Sequence, residues 1–302
     1  MLRSTLRHGL QGGLKKTGKI IFLSLLAAVF ICTPALAQVR TPEASGSVTY
    51  SGGSAVIDAS NASQGYVMVK YTGGTSRIKV RITKSTDYTY DLNASGNYEV
   101  FPLTEGSGTY TIKVFQQVQG TSYAQVMSQT INVSLSDELS PFLYPNQFCS
   151  FHAGSAVVST AASVTAGISE PLSKVEAIYN YAVDNISYDY QKAATVQSGY
   201  LPEPDSTLAS KTGICFDYAA VMTSMLRSQD IPTKLVIGYT GGAYHAWVSV
   251  YITGQGWVDN IIYFDGVSWR YMDPTFASSG KGNAAITDYI TNPANYQAKF
   301  TY

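Results

Sequence analysis

The hydrophobic pattern of this 302-residue chain changes period once, and that change limits the folds open to it. From about Ser47 to Leu135 apolar and polar residues alternate, as in Tyr66-Val-Met-Val-Lys-Tyr, Arg77-Ile-Lys-Val-Arg-Ile and Thr109-Tyr-Thr-Ile-Lys-Val-Phe. Gly, Asn and Ser clusters at 51–54, 73–75, 93–96 and 105–108 break the runs. A period of two, with turn signals every 8–12 residues or so, predicts about seven short strands in an immunoglobulin-like β-sandwich. No helix longer than two turns is expected here. This half holds neither Cys nor His. It therefore lacks a strong nucleophile and a neutral-pH base, and its expected roles are spacer, partner contact or carbohydrate contact.

Ser136–Phe151, with Pro141 and Pro145, reads as a linker. Beyond it the spacing is helical over Ala156–Ala166 and Glu170–Asn185, where Leu172, Val175, Ile178, Tyr179 and Ala182 share a face. Gly199–Asp205 reads as a Pro-containing loop and Cys215–Ser228 as another helix. Strands are expected at about Lys234–Thr240, Tyr244–Ile252, Trp257–Phe264 and Val267–Met272. Helices followed by an antiparallel run of strands predict an α+β domain. The expected division is a leader over 1–37, an all-β sandwich over 38–138 and an α+β domain over 139–302.

The leader is read from its three regions. Arg3, Arg7, Lys15, Lys16 and Lys19 precede the apolar run Ile20–Cys32, and Pro34-Ala35-Leu36-Ala37 supplies an A-x-A site before Gln38. That pattern is a secretory signal; an uncleaved anchor is the alternative. The expected location is outside the cell or in its envelope, with no membrane contact after cleavage. Removing these five basic residues leaves 15 Lys+Arg against 20 Asp+Glu, a net −5. A mildly acidic body without a basic run gives no electrostatic footprint for nucleic acid.

Past the leader the chain has two cysteines, Cys149 and Cys215, and two histidines, His152 and His245. Cys215 opens an amphipathic helix after Gly213. A cysteine at a helix N-terminus is favoured as thiolate, and the free N–H groups there suit an oxyanion. His245 lies in the alternating strand Tyr244–Ile252, on the face of Trp247, Ser249 and Tyr251 opposite the aliphatic set; that face is expected to be the more polar. Gly241-Gly242 before it suggests a roomy loop. An imidazole base needs a third group to fix its tautomer. Asp259, Asp265 and Asp273 follow it, and Asp273, closing a strand before Pro274, is well placed to reach it. The other pairings remain open: Cys149 with His152 as a dyad, all four residues as a zinc site, and a Cys149–Cys215 disulfide.

Taken together, Gly213-x-Cys215-x-Asp217-Tyr-Ala219, Leu226-Arg-Ser-x-x-Ile231-Pro232, Gly238-Tyr239, His245-Ala-Trp247-x-x-Val250-Tyr251 and Trp269-x-x-x-Asp273-Pro-Thr275 closely resemble the transglutaminase-like superfamily. The resemblance covers about Lys174–Phe276. It implies a papain-like fold with Cys215 as nucleophile, His245 as base and Asp273 as the orienting residue, with Asp259 as the rival for that third place. Tyr188 stands where members often carry an aromatic residue that helps the oxyanion. The implied activity is acyl transfer from protein or peptide amides through a Cys thioester, by peptidase, transamidase or deamidase chemistry, on an extracellular or cell-wall substrate. No cofactor or metal is implied. A non-catalytic surface-binding protein is the alternative. N-terminal sequencing of the exported protein should begin at Gln38; Met1 retained in a membrane fraction would make the first 37 residues an anchor.

Overall fold

The computed structural model describes residues 39–74, 76–94, 96–259, 262–264, 269–271 and 292–302, the short stretches 262–264 and 269–271 by backbone alone. The expected leader, Asp265 and Asp273 lie outside the described residues. The period-two half folds as eight strands: β1 (Thr49–Gly52), β2 (Ala55–Asp58), β3 (Tyr66–Tyr71), β4 (Ile78–Thr83), β5 (Asp87–Leu92), β6 (Glu99–Pro102), β7 (Gly108–Gln119) and β8 (Ser122–Val133). They form two four-stranded antiparallel sheets, in the orders β1-β2-β3-β6 and β5-β4-β7-β8. Alternation decides what is buried. Ile78, Val80 and Ile82 of β4 turn inward while Lys79 and Arg81 face out. The arrangement is consistent with a β-sandwich.

The second half begins with α1 (Ala156–Val164) and α2 (Pro171–Asn185), followed by β9 (Ser187–Tyr188), α3 (Tyr190–Thr195), α4 (Pro204–Ser210) and β10 (Thr212–Gly213). Next come α5 (Cys215–Ser228), β11 (Thr233–Thr240), β12 (Ala243–Ile252), β13 (Gly256–Val258), β14 (Ile262–Phe264), β15 (Trp269–Tyr271) and β16 (Tyr296–Thr301). A four-stranded sheet runs β13-β12-β11-β16, and β14 pairs antiparallel with β15. α5 packs against this sheet and against α1, α2 and α4. Every residue from Asp217 to Ser228 is buried, so α5 is enclosed on all sides.

Several expectations are refined. α5 runs over the expected Cys215–Ser228. The expected strand Trp257–Phe264 is instead two strands in different sheets, β13 and β14. Part of the Gly199–Asp205 loop is helical, because Pro204 takes the first-turn position of α4, where its missing N–H costs nothing. Asp205 from that helix accepts the Ala156 and Val157 N–H groups at 3.0 and 2.9 Å, capping α1 across the fold. Gly241-Gly242 is a tight two-residue hairpin turn between β11 and β12, not a roomy loop. Both glycines have positive φ (54° and 82°), as such turns require.

The described residues fall within one compact unit, and one hydrophobic cluster runs through both halves. Tyr90 and Phe101 from the sandwich, Phe148 from the linker and Tyr302 after β16 form linked aromatic pairs, with ring centroids 4.2–5.9 Å apart. The linker is held from below by Arg227, near the end of α5. The residue is 2% exposed. It donates to the carbonyl oxygens of Tyr144, Thr233 (2.9 and 2.7 Å) and Tyr302 (2.8 Å), and to Cys149 Sγ at 3.2 Å. One side chain thus ties linker, α5, β11 and the end of the described chain. Arg227→Met should leave those carbonyls unpaired and cost about 3–5 kcal/mol, read as a lower urea midpoint in denaturation monitored by tryptophan fluorescence.

Candidate active site

The start of α5 is built around a missing side chain and a buried carboxylate. A Cβ on Gly213 would stand 2.6 Å from Asp217 Cβ, so only glycine admits the turn. Asp217, at the third helical position, accepts the Ile214 N–H at 2.8 Å. This is half of a capping box, because Ile214 has no acceptor to complete it. The first intrahelical bond runs from Tyr218 N–H to the Ile214 carbonyl, at 3.1 Å. The N–H groups of Cys215, Phe216 and Asp217 therefore point out of the helix start.

Asp217 is wholly buried yet charged, which demands partners. Lys192 of α3 donates to it at 2.7 Å, and the Tyr200 hydroxyl donates to its other oxygen. Lys192 Nζ also reaches the Tyr200 hydroxyl at 2.6 Å. Burial, and then the Asp217 carboxylate that accepts its proton, push the Tyr200 hydroxyl well above the ordinary tyrosine range. This cluster anchors the stretch from α3 to Leu201 beside the start of α5.

Tyr188 arrives by strand pairing. β9 lies parallel to β10, with Tyr188 opposite Gly213, and Asp189 N–H donates to the Gly213 carbonyl at 2.9 Å. His245 lies on β12 opposite Gly238 of β11. Gly238 admits no side chain either: a Cβ would stand 2.0 Å from the Gln297 carbonyl oxygen and 2.8 Å from the Trp247 ring. The Trp247 ring stacks beside the His245 imidazole, with centroids 6.2 Å and planes 22° apart. The polar face expected for His245 is not found. His245, Trp247 and Ser249 are all buried, and Tyr296 of β16 packs edge-on against Trp247.

Cys215, His245 and Tyr188 line one cleft of about 730 Å³, within the usual size of ligand sites. Its opposite wall comes from the sandwich and linker, through Lys79, Asp87, Thr89, Tyr90, Asp91 and Phe148. Asp259 is elsewhere. The register Val250↔Val258 places it level with Ser249, four residues and about 13 Å along β12 from His245. It is exposed, and its charge acts on Lys234, the residue paired with Ser249 on β11. That position does not allow a direct bond to the imidazole.

The other cysteine pairings do not assemble. Cys149 and Cys215 are both free thiols. Cys149 is wholly buried against Arg227, and burial pushes its thiol upward despite the guanidinium. His152 is exposed and its Nδ1 accepts the Gly154 N–H at 3.0 Å, so it closes a turn. Among the described residues no group of three or more His, Cys, Asp or Glu side chains could hold a metal ion. Also among the described residues, no helix is long and apolar enough to cross a membrane. Sequence reasoning passed over the Lys192–Tyr200–Asp217 cluster and the sandwich wall. The Asp189-x-x-Lys192 start of α3, where Asp189 accepts the Lys192 N–H at 2.8 Å, was the available sign of the first.

Residues 158–274 match the transglutaminase-like superfamily, a stretch that contains Cys215, His245 and Asp273. A transglutaminase-like domain therefore accounts for the part of the chain that carries the cleft residues of α5 and β12. The chain is 29% identical over 104 residues to the uncharacterized protein YebA of Bacillus subtilis, a match covering 28% of this chain and 14% of that protein. It is 31% identical over 90 residues to the UPF0252 protein MJ1282 of Methanocaldococcus jannaschii, covering 26% of each. This chain thus spans about a quarter or less of the curated relatives it matches. A crystal structure of a candidate cysteine protease from Cytophaga hutchinsonii aligns at 16% identity and a TM-score of 0.39, over 84% of this chain and 78% of that one.

The two thiols should separate sharply in reactivity. In native protein at pH 7, iodoacetamide should modify Cys215 and leave Cys149 intact, while in urea both should react. Peptide mapping by mass spectrometry reads the outcome, and native modification of Cys149 would contradict the burial described.

Proposed function

We propose that this chain is an exported, cysteine-dependent acyl-transfer enzyme of transglutaminase-like type, acting on amides of proteins or peptides. The observation that carries the reading is the meeting of Cys215, first residue of α5, with His245 in one cleft. The match over 158–274 supports it, and the basic, apolar and A-x-A regions of residues 1–37 support export. The sandwich is proposed to be immunoglobulin-like. Taking β2, β3 and β6 as strands A, B and E, and β4, β7 and β8 as C, F and G, the order is that of the Greek-key sandwich with strand D, here β5, moved to the opposite sheet.

In this reading His245 takes the proton of Cys215, and the thiolate adds to an amide carbonyl. The negative charge that develops on the carbonyl oxygen meets the N–H groups at the start of α5, with Tyr188 at hand as a second donor. The C–N bond breaks as His245 returns its proton to the departing amine or ammonia, leaving a thioester on Cys215. Water or a primary amine then adds, losing its proton to His245, and the thiolate leaves. Water gives hydrolysis of the peptide bond or deamidation; an amine gives a new amide. Asp273 is proposed to orient His245.

An activity-based thiol probe on the mature protein tests this. Cys215→Ala should abolish labelling, and His245→Ala should come close, since residues acting as a unit do not lose rate additively. Asp273→Asn should retain the fold but slow turnover by less than the roughly 10⁴-fold seen in a serine triad. Asp259→Asn should lie within about twofold of wild type, given its distance from His245. Labelling that survives Cys215→Ala would assign the reactive thiol to Cys149 and overturn the site, and wild-type protein that no probe labels would favour the binding-protein alternative.

A further inference from the structure

β5 is the edge strand of its sheet, with β4 on one side. Side chains alternate along it: Asp87, Thr89 and Asp91 share the outer face, and Tyr88 and Tyr90 are buried on the inner one. Yet Asp87, Thr89, Tyr90 and Asp91 all line the cleft that holds Cys215 and His245. A single cavity meets both faces of a strand only along its edge.

The backbone on that edge is open at Asp87 and Thr89. In an antiparallel pair each residue sends its N–H and C=O to the same side. Gln147 Nε2 donates to the Asp91 carbonyl oxygen at 3.1 Å from the linker, which puts the polar groups of Asp91 on the free side. Alternation then puts those of Thr89 and Asp87 there as well. Among the described residues, no backbone group outside the sheet bonds to Asp87 or Thr89. An unpaired edge is a template for another strand. The facing wall is the stretch anchored by Asp217, and it comes close: a side chain at Gly199 would meet the Asp91 carboxylate at 3.8 Å. That approach narrows the cleft at the Asp91 end and leaves Asp87 and Thr89 as the part of the edge that faces it.

We propose that the substrate is an extended, locally unfolded polypeptide segment that adds to β5 as a further strand, and that this pairing carries its reacting amide past Cys215. The inference rests on the acyl-transfer reading and specifies its substrate class. Main-chain pairing gives affinity with wide tolerance of side chains. The sandwich then forms half of the substrate site and is more than a spacer.

A heptapeptidyl acyloxymethyl ketone and a series of its single backbone N-methyl derivatives test this on the full mature chain. Labelling of Cys215 is followed by intact mass, with iodoacetamide as the reference reagent. N-methylation should slow labelling by roughly 3- to 10-fold at alternate positions and leave those between near the parent rate, since each slow position loses one hydrogen bond. Thr89→Pro removes an N–H from the free edge, where proline is tolerated. It should lower the ratio of peptidyl to iodoacetamide rates by a similar factor, and Thr89→Ala should restore the ratio toward wild type. If Thr89→Pro fails to fold, the N-methyl series on wild type still decides. Fast peptidyl labelling with no period-two pattern would overturn strand addition and leave the acyl-transfer reading standing. Failure of every reagent to label Cys215 would overturn both.

Discussion

The burial of α5 from Asp217 to Ser228 is the constraint on which the rest of the molecule depends. Charged groups on a helix enclosed in this way need partners within the protein, because water does not reach them. α5 carries a charged residue near each end, Asp217 and Arg227, and both are buried. Each draws in partners from distant parts of the chain. Asp217 collects Lys192, Tyr200 and the Ile214 N–H; Arg227 collects the carbonyls of Tyr144, Thr233 and Tyr302. The first set shapes the surroundings of Cys215 and the second fastens the linker and β16. Losing either charge would strand its partners, which is why these ties are strong even though burying an ion is itself costly.

The cleft follows from those two anchors. Arg227 and the aromatic pairs around Phe148 and Tyr302 hold the sandwich against the α+β half. Asp217 holds the α3–Leu201 stretch over the start of α5. Between them lies the space lined by Cys215 and His245. The thiol and the imidazole come from one half of the chain, while the walls of the cleft come from both. A region without cysteine or histidine thus borders the thiol and shapes the access to it.

Local rules carried much of this structure. Gly213, Cys215 and the apolar stripe behind them marked α5 to the residue, and alternation marked β11 and β12 within a residue or so. The Gly-Gly pair marked a connection, although its positive φ values made it a tight turn. Where the reading failed, the missing information was non-local. The face of His245 looked polar because its neighbours Trp247, Ser249 and Tyr251 carry polar atoms. β16, whose Tyr296, Ala298 and Phe300 alternate with polar residues, adds to β11 and brings Tyr296 over that face. Asp259 was a plausible third residue by order in the chain, and only the Val250↔Val258 register removes it from reach of His245.

By itself, the sequence determined the two-part layout of strands then α+β, the helix that begins at Cys215, and the small set of residues able to do cysteine chemistry. Those follow from periodicity, turn chemistry and the scarcity of Cys and His, which act over a few residues or by composition. Tertiary structure alone decided that His245 is buried, that Asp217 is paired with Lys192 and Tyr200, and that the edge of β5 borders the cleft. Such facts depend on contacts between residues far apart in the chain, such as Thr104 with Thr301 and Tyr144 with Arg227. No local pattern encodes which distant surface will cover a given face, because that choice is made by packing the whole core at once.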